Sequence, residues 1–287
     1  MALKLRKVKY DKKGHIAYVT IDNAEHENCL DEVVDQDLWT VWHDFRDDQN
    51  LYVAILTGAG RKSFCAGSDL RWYVETISKR SPEWNRRRAH EGPSLGGITK
   101  GINVWKPIIA AINGYCLAGG MELAMACDIR IAADHARFGV VNRRWNVGAE
   151  SGLTQRLPHI VGLGVALDLL ITGRWFDAKE AYRINFVTKV VKAARLKDEC
   201  TRLAEQICEY PQSSLRTDKE ACIRGLGLTL EEGLRLENTL WNTNLSLPDT
   251  LNGPRSFIEK RKFVPTQEVC PRTPARKPMH GRPSGER

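Results

Sequence analysis

Glu122 is the residue around which chemistry could be organised. It stands in Leu117-Ala118-Gly119-Gly120-Met121-Glu122, between an apolar run at 107–112 and a second at 129–132. The glycines let backbone approach a ligand where a Cβ would obstruct it. Residues 121–126 read as a helix, and the first N–H groups of a helix have no partner within it. Such donors can face a developing negative oxygen. An acid in the same turn lies beside them, which is half of a site for chemistry next to a carbonyl. The pattern also suits plain turn chemistry, since a first-turn Glu is favoured by the helix dipole alone.

Two other stretches bear on the choice. Ala66-Gly67-Ser68-Asp69 leads from a loop toward a helix and again places free N–H groups where a strand has just ended. Lys62 and Arg61 stand beside it as candidate phosphate contacts. Ser68 or Asp69 could equally be a helix cap. Further on, Glu150 precedes a helix expected to begin near Ser151, so it is either a second acid or a first-turn partner of the dipole.

The elements that must hold these residues alternate. Residues 15–21 and 51–57 read as buried strands. Between them Leu30, Val33, Val34, Leu38, Val41, Trp42 and Phe45 recur at three, four and seven, one apolar face of a long helix over 28–48. Residues 78–93 are polar, include Arg86, Arg87 and Arg88, and read as a mobile surface segment; 96–105 reads as a short helix. Helices are expected over 165–172 and 178–184, and a last strand over 186–191. From 196 onward the pattern is helical, over 196–209, 214–226, 229–246 and 249–262. The residues after 265 combine Pro with basic side chains, lack any period, and are expected to be disordered. The implied division is a core at 1–195, a helical region at 196–264 and a tail at 265–287.

With 287 residues and 42% hydrophobic content the chain can bury one large core or two modest ones. Its net charge of +8 suits a phosphate-bearing partner, of which nucleic acid is only one kind. Eight cysteines occur without a C-x-x-C pair or a metal-ligand spacing to His, so reduced thiols in a cytoplasmic-type compartment are expected, with no metal. No apolar stretch approaches eighteen residues, and 1–10 has no apolar leader core, so no membrane span or secretion is expected.

Taken together, the three stretches resemble the crotonase, or enoyl-CoA hydratase/isomerase, superfamily. The matching residues are 63–70, Lys106-Pro107 through Asp128, Arg137-Phe138-Gly139, Thr154-Gln155-Arg156-Leu157, 177–181 and 257–262, so about 5–264 is covered. The resemblance implies an α/β fold, a crotonase-like spiral of stacked ββα units with a C-terminal helical trimerisation region, assembled as a trimer or a dimer of trimers. It also implies an acyl-CoA thioester as substrate, no separate cofactor, and a carbonyl oxygen held by the N–H groups of Ser68 and Gly119. Ala66, Gly67, Asp69, Gly120, Asn142 and Lys62 would line the substrate. The family's hydratases carry two glutamates. The first matches Glu122, but the second falls on Asn142, which cannot exchange a proton. Glu150, eight residues on, resembles a third acidic position seen in dienoyl-CoA isomerases and carnitinyl-CoA dehydratases.

Three readings follow. The first is a hydratase-like lyase using Glu122, with Glu150 or water completing the proton transfer. The second is a double-bond isomerase in which Glu122 and Glu150 shuttle a proton. The third is a non-catalytic RNA-binding or scaffold protein, favoured by Arg86–Arg88 and opposed by the retained Glu122. The acyl group is not specified, although Trp72, Trp84, Trp105 and Trp145 could shape an aromatic or alicyclic pocket.

Overall fold

The computed structural model describes residues 3–269 apart from Ser78. Two compact units are present, the first ending at Glu209 and the second beginning at Tyr210. In the first, the strands are β1 Val8–Lys13, β2 Ile16–Ile21, β3 Val53–Gly58, β4 Ser63–Cys65, β5 Ile108–Ile112, β6 Tyr115–Leu117, β7 Ile129–Ala133, β8 Arg137–Gly139, β9 Trp175–Asp177 and β10 Lys189–Val191. Its helices are α1 Glu32–Asp47, α2 Leu70–Ile77, α3 Pro82–His90, α4 Gly119–Ala126, α5 Leu153–Val161, α6 Leu163–Thr172, α7 Ala178–Arg183 and α8 Leu196–Cys208.

The strands sort into a six-stranded sheet, β1-β2-β3-β5-β7-β10, and a four-stranded sheet, β4-β6-β8-β9. Pairing in the large sheet is parallel after the β1–β2 hairpin, which turns at Gly14 with φ +56°. The chain therefore visits the large sheet, then the small sheet, then a helix: β3-β4-α2, β5-β6-α4, β7-β8-α5. This is the spiral of ββα units expected from the sequence. Its consequence is that β4 and β6 pair in parallel, and the turns at their ends lie side by side.

Ile109, Ala110 and Ile112 of β5 are fully buried, which is why that segment reads as a continuous apolar run. Helix α1 buries Val34, Leu38, Val41, Trp42 and Phe45 against the same core, and the Asp31 side chain caps it by accepting from the Val34 N–H at 2.9 Å. Its last carbonyls are met by a buried lysine: Lys106 Nζ donates to Phe45 O at 2.7 Å and Asp48 O at 2.6 Å. The core continues into Phe138, Phe176 and Phe186, whose ring centroids lie 5.2–6.1 Å apart, Phe138 stacked on Phe176 and Phe186 edge-on to both.

Several expectations are corrected. Residues 96–105 are not a helix: only Leu95–Gly97 forms a 3-10 turn, and Gly96, Gly97 and Gly101 all have positive φ. Asp35 Oδ1 accepts from the Gly96 N–H at 2.7 Å, and Trp42 Nε1 donates to Gly96 O at 3.0 Å, so this glycine-rich segment is anchored from α1. Residues 82–90 are a helix, α3, started by Pro82 in its first turn and capped by Ser81. The last strand is limited to Lys189–Val191. Helix α8 is not part of a separate helical region. It buries Leu196, Cys200, Ala204 and Ile207 in the first unit, and Tyr18 Oη lies 3.3 Å from Thr201 Oγ1.

The second unit contains α9 Gln212–Gly225, α10 Leu230–Asn242 and α11 Asp249–Ile258. Helix α10 starts with a reciprocal capping box between Thr229 and Glu232. Residues 265–269, expected to be disordered, are tied down where the Thr266 N–H donates to both Asp249 carboxylate oxygens at 2.9 and 3.0 Å. The remainder of that expected tail, 270–287, lies outside the described residues. No described helix is long and apolar enough to cross a membrane.

Lys106→Met keeps the aliphatic stem but removes the ammonium from Phe45 O and from Asp48 O, the second of which keeps the Leu51 N–H as a donor. It should destabilise the protein by about 1–3 kcal/mol, the usual cost of stranding buried acceptors. Urea denaturation would measure this, and an unchanged midpoint would show that Lys106 does not hold the helix end.

Candidate active site

The turns after β4 and β6 meet through glycine. Gly67 has φ +101°, and a Cβ built on it would lie 3.0 Å from the Gly119 nitrogen. A Cβ on Gly119 would in turn come within 3.4 Å of the Ser68 nitrogen and 2.9 Å of a Leu95 methyl. The two residues whose N–H groups could act together are thus adjacent in space although 51 positions apart in sequence (119 minus 68). Neither N–H donates to another described residue. Ser68 pairs with Leu30 as an isolated bridge, using the Gly67 carbonyl and the Asp69 N–H and leaving its own N–H free.

Ala118 precedes α4 with φ 47° and ψ −115°, a backbone region that side chains rarely occupy. It is pinned there: its N–H donates to Gly139 O at 2.9 Å, and its carbonyl accepts from Met121 and Glu122. Gly120 has a packing role, because a Cβ there would sit 2.0 Å from the Cys65 carbonyl oxygen. It lets α4 lie directly on β4.

Glu122 is 4% exposed. Its Oε1 accepts from the N–H of Ser151 at 2.8 Å and of Leu153 at 3.4 Å. Its Oε2 accepts no hydrogen bond from a described residue. Burial pushes its carboxyl above the usual range; the two backbone bonds and the nearby Lys100 ammonium oppose this, and Glu150 adds to it. Arg156 also lies within electrostatic reach of Glu122. The carboxylate of Glu150 is exposed and unpaired among the described residues, while its carbonyl accepts from Lys100 Nζ at 3.1 Å. Asn142 is 8% exposed and braces its own loop: Nδ2 donates to Val147 O at 3.0 Å, and the Asn142 carbonyl accepts from Val147 at 3.2 Å. Its Oδ1 is buried without a partner among the described residues.

The other residues singled out from the sequence divide. Asp69 caps α2, accepting from Arg71 at 2.8 Å and Trp72 at 3.3 Å. The Ala66 N–H is held by Glu27 O at 3.1 Å, and Lys62 is ion-paired with Glu27. Trp72 and Trp84 flank Arg80, their ring centroids 5.0 and 4.7 Å from its guanidinium carbon. Trp105 is buried and Trp145 exposed. A cavity of about 620 Å³ lies elsewhere, between α8 and the outer face of the large sheet, lined by Thr20, Thr57, Asn113, His135, Thr201 and Arg202. None of the residues around Glu122 reaches it. Sequence reasoning missed Ser151 and Leu153, whose contribution is backbone alone, and quoted Arg156 without a role. The one available signal was Gly152, whose φ of +130° requires a residue without a Cβ.

The arrangement can hold one negative oxygen at two free N–H groups and exchange a proton nearby through Glu122. Known proteins agree with the fold and the length. The family described as enoyl-CoA hydratase/isomerase matches residues 11–268. An (E)-benzylidenesuccinyl-CoA hydratase from Thauera aromatica is 37% identical over 257 residues, 88% of this chain and 96% of that protein. A short-chain-enoyl-CoA hydratase from Clostridium acetobutylicum is 33% identical, over 91% of this chain and 98% of its own. The crystal structure of an enoyl-CoA hydratase from Bacillus anthracis superposes with a TM-score of 0.82 at 31% identity, covering 92% of this chain and all of that one.

The raised carboxyl of Glu122 carries a sign for stability. A folded state that holds its proton more tightly than the unfolded chain loses stability as pH rises from the ordinary carboxylate range through the folded value. Glu122→Gln, which cannot ionise, should therefore melt above the wild type at neutral pH, with the gap shrinking toward acidic pH. Melting curves across that range check this, and a gap independent of pH would contradict it.

Proposed function

The chain belongs to the enoyl-CoA hydratase/isomerase family, and from that footing we propose how this hydratase-type enzyme adds water to an α,β-unsaturated acyl-CoA thioester. The thioester oxygen sits between the N–H groups of Ser68 and Gly119. Conjugation passes that polarisation to the β-carbon, so attack there moves charge onto the oxygen as an enolate. Donors fixed in place before reaction stabilise it, each worth about 2.7–4 kcal/mol in comparable sites. Glu122 in its ionised form takes a proton through Oε2 from the water that attacks the β-carbon. The α-carbon then gains a proton, and one water has been added across the double bond. Asn142 cannot supply that second proton, so it comes from Glu122 itself, from Glu150 at the rim, or from water. The observation that carries this reading is the buried Glu122, held by backbone at Oε1 in the same helical turn as the Gly119 donor.

Ala66, Gly67 and Gly120 shape the approach of backbone to the thioester, and Lys62, exposed, is free to exchange its Glu27 partner for a CoA phosphate. The chemistry needs no metal or redox cofactor, because N–H dipoles hold the enolate charge. The described cysteines are all thiols, in keeping with a reducing compartment such as the cytoplasm. A second reading, double-bond isomerisation, draws on the unpaired Glu150 carboxylate near Glu122: the two acids would pass a proton along the acyl chain without incorporating water.

We also read the protein as a trimer or dimer of trimers. Leu163, Leu167 and Ile171 form an exposed apolar row at helical spacing on α6, and Leu230, Phe257 and Ile258 are exposed in the second unit.

Glu122→Gln should lower turnover of an enoyl-CoA by about 10²–10⁴ with the fold intact. Glu150→Gln should lower it by at least about tenfold if Glu150 relays the second proton, against about 10²–10⁴ for a fully positioned group. Run in ¹⁸O-water, the wild type should label the product at the β-carbon. A rearranged, unlabelled product would select the isomerase reading, and a folded Glu122→Gln enzyme with full turnover would remove Glu122 from either.

Sedimentation at micromolar concentration should give a multiple of the 32.4 kDa chain mass. A monomer would contradict the assembly.

A further inference from the structure

Arg156 is a cation beside the site that no step above uses. It lies on α5, one turn beyond the backbone that holds Glu122, and its guanidinium is satisfied only by carbonyls. Nη1 donates to Ser151 O at 3.0 Å and Nη2 to Thr99 O at 2.7 Å. No carboxylate pairs with it among the described residues. The two peptide groups that flank the Ser151 Cα are thereby both held: the one before it donates its N–H to Glu122 Oε1 and accepts from Lys100 at the Glu150 carbonyl, and the one after it accepts from Arg156 at the Ser151 carbonyl. Gly152 makes room for this contact. A Cβ at that position would lie 2.3 Å from Arg156 Nη1, and its φ of +130° is open to glycine. Thr99 lies in the segment that begins at Leu95, and Leu95 packs beside Gly119. The guanidinium therefore ties the loop over Glu122 to the segment beside the Gly119 donor.

We propose that Arg156 is a positioning residue for Glu122: by holding the Ser151 carbonyl it fixes the Ser151 backbone whose N–H binds Oε1, and leaves Oε2 as the oxygen that exchanges a proton with substrate. The clamp also places positive charge where an ionised Glu122 needs it. The groups facing Glu122 are Glu150, which opposes its ionisation, and Lys100 and Arg156, which favour it. On the strands packed against α4, the thiols of Cys65 on β4 and Cys116 on β6 are pushed up by burial and stay neutral. Asn142 has the complementary task at the other end of the same loop, through Val147. Two side chains thus brace the loop whose backbone N–H groups hold Glu122.

The inference rests on Glu122 being the acid–base group of the proposed hydration. Its test therefore includes a readout independent of turnover. The Glu122 carboxyl would be titrated by infrared spectroscopy in the wild type, Arg156→Met and Arg156→Lys, with Glu122→Gln assigning the band. Hydration of crotonyl-CoA would be followed in parallel. Arg156→Met should move the titration to higher pH and lower kcat about 10- to 100-fold, the scale of a misplaced catalytic group, with KM little changed. Arg156→Lys should titrate close to wild type because the charge remains. Its kcat should recover only in part, since one ammonium cannot span both carbonyls. A folded Arg156→Met enzyme that titrates as wild type overturns the proposal, whatever its rate. If that variant does not fold, the lysine variant decides: a kcat equal to wild type overturns the proposal, and a kcat loss without a KM change supports it. A wild type inert toward enoyl-CoAs would sink the hydratase reading and leave the titration to judge the clamp.

Discussion

The constraint on which the site depends is the contact between two strand-to-helix turns that have no side chains to keep them apart. Gly67 and Gly119 come from successive coils of the spiral, and either Cβ would press on the other turn's backbone. Parallel pairing of β4 with β6 brings the two turns level. Gly120 then lets α4 rest on the Cys65 carbonyl, which fixes the direction of the helix. Two free N–H groups result from packing alone. They are directed by sheet geometry, which gives a rigid site at the cost of a strained residue, Ala118, at its centre.

Around this contact the electrostatics are arranged against the ordinary preference of a carboxylate for water. Glu122 is buried, and burial alone would hold it protonated. Two N–H donors and two nearby cations restore part of what water would give. The balance leaves an acid whose titration lies above the usual carboxylate range, which is the property a proton-exchanging group needs near neutral pH. Asn142, the position at which the resemblance implies a second glutamate, contributes a brace to the loop through Val147.

The sequence was legible where side chains carry a pattern. The large-sheet strands at 16–21, 53–58, 108–112 and 129–133 are apolar runs long enough to stand out, and α1 shows its face at three- and four-residue spacing. The small sheet was not legible, because strands of three residues such as Ser63–Cys65 and Arg137–Gly139 have no period and exist through their pairing. Residues 96–105 misled for a related reason: their apolar content resembles a helix, but Gly96, Gly97 and Gly101 turn the chain and α1 supplies the anchors. Within the site, Glu122 stood out because glycine beside an acid is a sparse pattern, whereas Ser68 and Gly119 were assigned as donors through the family resemblance. Ser151 and Leu153 were not visible, since they act through peptide groups that any residue possesses, and Arg156 was not, since its guanidinium is spent on backbone carbonyls that no side-chain pattern marks.

The separation of Glu122 from its donors also has a history within each molecule's synthesis. The acid is translated 29 residues before Ser151, as their numbers give by subtraction. Both backbone donors to Glu122 therefore lie beyond β7 and β8 in the chain, and they reach its carboxylate only when the loop before α5 packs against α4. Lys100, encoded before Glu122, is the nearby cation that does not wait for that loop.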